Sequence, residues 1–178
     1  MRGILFILIL CGTTIHANVK DLRFERVDLR NYFLKAQTQK ETRDFMIENL
    51  EKIKAKTPVQ ESYLGIAYAL RTSEVEGNFA KIKLVLKARK HLNSGVERTP
   101  KDPECRFLRL SLEHALPSFL GMSKHIEEDL EVIFKNPTFI DDNPVLKKEI
   151  LNFIKSTNRC SPSQTILLDK QIAQLNSK

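Results

Sequence analysis

Between residues 57 and 134, helix-start signals and apolar stripes of helical spacing follow one another without a break. Such a run can bury its apolar faces only by packing helix against helix. Thr57-Pro58-x-Gln60 is a capping box. The Thr oxygen accepts a free amide of the first turn, the Gln side chain returns to the cap, and proline sits where its missing N–H costs nothing. The helix that follows carries Tyr63, Leu64, Ala67, Tyr68 and Leu70. A polar connection, 71–78, precedes a fourth helix over about 79–96, which is expected to bury Ile82, Val85, Leu86, Leu92 and Val96. Asp102 caps a fifth helix with Cys105, Leu108, Leu112 and Ala115 in one stripe, ended by Pro117. The short apolar loop after it, Pro117-Ser-Phe-Leu-Gly, is expected to tuck inward. Ser123 is the expected cap of a sixth helix with Ile126, Leu130, Ile133 and Phe134 inside.

The same signals extend outward. Leu29, Tyr32, Phe33 and Ala36 fall on one helical face, and Thr38-x-x-Glu41 reads as a capping box for a helix with Met46, Leu50 and Ile53. Asn143-Pro144 and the box Ser161-Pro162-x-Gln164 open two more helices; residues 135–143 lack helical period and read as loop. No convincing strand pair is present, so the fold class is all-α. The expected architecture is antiparallel helical hairpins stacked as a short array of about seven or eight helices.

Met1-Arg2, the apolar residues 3–10 and His16-Ala17 have the layout of a secretory signal peptide. Cleavage is expected after Ala17, which leaves 18–178 as one domain, periplasmic or extracellular. The apolar run is shorter than the roughly 20 residues that span a bilayer. Processing lowers the formal charge from +7 to +6, because Arg2 is lost. A moderate positive excess spread along the chain favours anionic partners, although such charge more often describes an ordinary solvated surface. An exported chain with no aromatic-basic platform is a poor nucleic-acid binder. Cys105 and Cys160 are a possible disulfide in an oxidising compartment. Closing that loop would stabilise by about 4 kcal/mol, whereas Cys105 on an apolar stripe also reads as a small buried hydrophobe.

Leu64-Gly65-Ile66-Ala67-Tyr68 and Ala88-x-x-x-Leu92-x-x-Gly95-x-x-x-x-Pro100 resemble the two blocks of a tetratricopeptide repeat. The first lacks its tryptophan, and the second has Leu for Phe and Gly for Ala. Small residues at those points let two helices approach closely. Leu64 and Leu108 are 44 residues apart, against a standard period of about 34. The runs SYLGIAYALR, KARKHLNSGVERTPKDPECRFLRL and PSFLGMSKHIEEDLEVIF further resemble a family of small exported bacterial proteins with a tetratricopeptide-like fold. The resemblance covers about residues 60–135. It implies a fold and an exported address, not a reaction.

Chemistry-bearing clusters are sparse. His125, Glu127, Glu128 and Asp129, approached by Glu113 and His114 across the Pro117 loop, form the closest thing to a metal or acid–base group. Acidic residues in a first turn also simply complement the helix dipole, and neither a metal nor another cofactor is expected. No His-Glu-x-x-His, Cys-x-x-Cys, Gly-x-Ser-x-Gly or Gly-rich phosphate loop occurs. The expectation is therefore a non-enzymatic interaction module that docks a protein or peptide through the exposed side of the fifth helix: Arg106, Leu110, Glu113 and His114. The alternatives are an unrecognised enzyme and attachment to an anionic membrane or envelope surface through the basic amphipathic helix 81–90, with Lys83, Lys87 and Lys90 as contacts.

Overall fold

The computed structural model describes residues 24–136 and 139–177. The expected signal peptide and its cleavage point lie outside the described residues. The fold is all-α. Among the described residues eight helices follow in order: α1 Arg26–Ala36, α2 Lys40–Lys52, α3 Pro58–Leu70, α4 Asn78–Arg98, α5 Pro103–Ala115, α6 Ile126–Phe134, α7 Pro144–Ser156 and α8 Pro162–Asn176. Single 3-10 turns, Arg71–Glu74 and Ser118–Leu120, follow α3 and α5.

The α3–α4 pair sits at the centre, and two glycines set its spacing. A Cβ added to Gly65 would lie 2.8 Å from Leu92 Cγ and 2.9 Å from the Ala88 carbonyl oxygen. One added to Gly95 would lie 2.0 Å from Ser62 Oγ and 2.8 Å from the Pro58 carbonyl. Position 65 thus meets 88–92 while 95 meets 58–62, so the two helices run antiparallel. The four residues 99–102 turn the chain into α5, which packs on both α3 and α4. Tyr63 in the first half of α3 bonds Glu104 at the start of α5 at 2.6 Å. Hence α5 starts beside the first half of α3. Helices α1 and α2 cover α3 from one side, α6 packs on α5, and α7 pairs with α8. Phe153 of α7 reaches α5 edge-on at Phe107, with ring centroids 5.8 Å apart.

Caps whose partners are local form as the sequence leads one to expect. Thr57 and Ser161 make complete capping boxes, Asp102 accepts the Glu104 and Cys105 amides, and Asn143 accepts that of Leu146. Two expected caps do not form. The last turn of α1 continues into the connection, where the Thr38 and Gln39 amides both bond the Lys35 carbonyl. Thr38 is therefore not free to open α2, which begins after Gln39 without a side-chain cap. Ser123 donates instead to the Glu113 carbonyl at 2.6 Å, and α6 begins at Ile126.

Burial along α4 also differs from expectation. Ala88, Leu92, Gly95 and Val96 are buried, but Ile82 and Leu86 are exposed. The reason is facing: Gly65 and Gly95 bring α3 against the side of α4 that carries Ala88 and Leu92, and Ile82 and Leu86 lie on the other side of the helix. Phe119 does not tuck inward; it is 84% exposed.

Candidate functional site

The face of α5 expected to meet a partner is spent on the fold. Arg106 is buried; its Nη1 bonds Glu128 at 2.6 Å and Asp129 at 2.9 Å, and its Nε donates to the Pro100 carbonyl. Arg109 grips the same Asp129 through Nε and Nη2, at 2.9 and 2.6 Å. Asp129 is fully buried between the two guanidinium groups, the condition under which a charge is tolerated inside a protein. Leu110 is fully buried, and Glu113 is buried, accepting the His125 amide at 2.8 Å and meeting its Nδ1 at 2.6 Å. His114 lies edge-on to Phe153. Arg106, Leu110 and Glu113 are therefore buried rather than exposed, and only His114 of the four is partly accessible.

The suspected metal cluster is divided in the same way. Glu113 does meet His125, but Asp129 faces two arginines and His114 faces a phenyl ring. Among the described residues no group of three His, Cys, Asp or Glu side chains converges to hold a metal ion. Cys105 and Cys160 are not joined. Cys105 is buried beside Thr99, Cys160 lies against the Ile154 carbonyl of α7, and burial pushes both thiols up.

A second buried ionic cluster has no signature in the sequence. Glu104, 1% exposed, accepts from Arg26 Nη1 (2.9 Å), Arg30 Nε and Nη2 (3.0 and 2.8 Å) and the Tyr63 hydroxyl (2.6 Å). Arg30 also holds Asp142 at 2.6 Å. Burial, then the charge of Glu104, push the Tyr63 hydroxyl well above its ordinary value. Its partners come from segments 41 to 112 residues apart, so no local pattern could reveal it. With every acceptor taken, the cluster ties α1, α3 and α5 together rather than serving chemistry.

A cleft of about 350 Å³ opens between α1, α5 and α7 over Phe33, Phe107, Leu146, Ile150 and Phe153. Its polar lining residues, including Gln37, Glu149 and Asn152, form no nucleophile–base pair.

The surface that stands out is the outward side of α4. Phe79, Ile82 and Leu86 follow i, i+3, i+7 spacing opposite the buried Ala88 and Leu92, and are 84%, 44% and 50% exposed. Lys83 and Lys90 fall on the same side of the helix. Together with Lys81 they are exposed and make no ion pair with a described residue. Arg89 borders the stripe, and its Nε is shielded from solvent without a hydrogen-bond acceptor. Lys87 behaves differently. Its ammonium bonds Glu51 at 2.8 Å and the Tyr68 hydroxyl at 2.6 Å, and lies 4.0 Å from the Tyr68 ring centroid. Burial works against its charge, but those two bonds outweigh it and raise its pKa. Of the three lysines expected to meet an anionic surface, two therefore have no ion pair among the described residues and one is committed to the α2–α3 flank. The alternating apolar and basic residues of 79–90 signalled this face; the sequence reading assigned its apolar side to the core instead.

Comparison of the chain with protein-family models, with curated proteins and with solved structures finds no match.

Proposed function

We propose that this chain is an exported, non-enzymatic helical interaction module, a short tetratricopeptide-like array whose partner-facing surface is the outward side of α4. The observation that carries the reading is the coincidence of exposed Phe79, Ile82 and Leu86 with the unpaired Lys83 and Lys90 on one helix side. Large apolar side chains set in a line on a surface mark a place of contact, and the lysines select a partner of negative charge. The α3–α4 pair supports the array reading, since both small positions of the repeat-like blocks, Gly65 and Gly95, lie at its close approach. The export reading rests on residues 1–17 alone.

Immobilised native chain and the Phe79→Ser/Leu86→Ser variant, incubated with soluble and membrane fractions of the source cells, test the reading. The native chain should retain material that the variant loses, with the circular dichroism of the two unchanged. Identical retention by both would defeat it.

A further inference from the structure

We infer that the partner of α4 is an anionic lipid bilayer, with the helix lying in the interface: Phe79, Ile82 and Leu86 enter the headgroup–acyl boundary while Lys83 and Lys90 meet lipid phosphates. This rests on the docking reading above and names its partner. Shape is the first argument. The apolar residues form a ridge along one helix, not a groove, so a protein partner would need a matching trough, whereas a bilayer yields to a convex ridge. Charge is the second. The chain carries a formal +7, and the stripe is bordered by free cations, the composition of helices that lie in interfaces. A second copy of the chain would bring these lysines against one another.

No described helix is long and apolar enough to cross a membrane, so the attachment is to the surface.

The chain has no tryptophan, so the Phe79→Trp variant places a single fluorophore on the stripe at a site too exposed to disturb the fold. Emission is titrated with vesicles of equimolar phosphatidylglycerol and phosphatidylcholine, and with phosphatidylcholine alone. Sedimentation alone is not informative, because the apolar residues 3–10 would carry the full chain down irrespective of α4. A blue shift is expected on the anionic vesicles and not on the neutral ones. At about 1 kcal/mol per surface lysine, adding Lys83→Gln and Lys90→Gln should raise the lipid needed for half the shift by about 30-fold. Emission that stays put on anionic vesicles, or shifts equally on both kinds, overturns the lipid assignment. If the variant's emission is then shifted by a soluble acidic protein retained in the capture experiment, docking through α4 survives and only the lipid falls. If neither moves it and the capture experiment shows no difference, the docking reading falls as well.

Discussion

Asp102 caps α5 with one carboxylate oxygen and pairs with Arg26 through the other. Its role as a cap is fixed by Pro103 and by amides two and three residues ahead, and the structure shows the Glu104 and Cys105 N–H groups on its Oδ1 at 2.9 and 3.1 Å. What the sequence does not disclose is Arg26, 76 residues away, on its other oxygen at 2.6 Å. Burial pushes the Asp102 carboxyl up, but the Arg26 hydrogen bond and the two amides outweigh it and hold the group below the ordinary carboxylate range. A carboxyl lowered by folding contributes stability above its unfolded pKa and loses it as pH falls through the folded one. Asp102→Asn separates the two functions, since Asn caps about as well as Asp but cannot pair with a cation. The variant should lose about 1 kcal/mol at pH 7, a figure kept small because Arg26 is partly exposed. The gap between the two proteins should close as pH falls below the carboxylate range. Urea midpoints of both proteins across that range check it; a gap independent of pH would remove Arg26 from the account.

Whole helices were legible where one face decides their fate. The stripes of α1, α3, α5, α6 and α7 are buried largely as their periodicity demands, because the helices packed on each cover its apolar side. The fourth helix defeats that logic. It carries apolar residues on two sides, Leu92 and Val96 on one and Phe79, Ile82 and Leu86 on the other, and periodicity cannot say which side faces α3. Glycine decides it: Gly65 and Gly95 allow contact only along the side that bears Ala88 and Leu92. The start of α6 was misplaced for another reason: the residue at its N-cap is His125, whose amide is met by Glu113 from the preceding helix, while Ser123 bonds the Glu113 carbonyl. The glycine argument has a measurable consequence. Mid-helix Gly→Ala ordinarily stabilises by roughly 0.5–1 kcal/mol. In Gly65→Ala the new methyl would meet the Ala88 carbonyl and the Leu92 amide at 2.9 and 3.0 Å, backbone atoms that cannot step aside without moving α4. Overpacking of this kind costs about 1–3 kcal/mol, so the net effect should be destabilising. Chemical denaturation decides it, and a higher midpoint for Gly65→Ala would mean that the pair is held apart by something other than this contact.

At the scale of the molecule, the charges divide into a buried set that holds the fold and an exposed set that the fold does not use. Glu104 belongs to the first. It neutralises Arg30, 5% exposed, and joins α1 to α3 and α5, while Arg30 continues to Asp142 in the segment before α7. Removing one member of such a group leaves the other charge buried without compensation, at a cost of about 3–5 kcal/mol. Domains of this kind are stable by only about 5–15 kcal/mol in total. Glu104→Ala should therefore shift the urea midpoint by a large fraction of its whole value and loosen segments far apart in sequence together. The stripe on α4 belongs to the second set. Phe79→Ser with Leu86→Ser touches no buried contact and should leave the midpoint within about 0.5 kcal/mol of the native value. Leu92→Ala, six positions further on the opposite face of the same helix and fully buried, should cost about 2–5 kcal/mol. Measured side by side, these variants ask whether stability and surface apolarity reside in different residues. If the α4 double variant proves as damaging as Leu92→Ala, the exposed ridge is part of the fold after all and is not available to any partner.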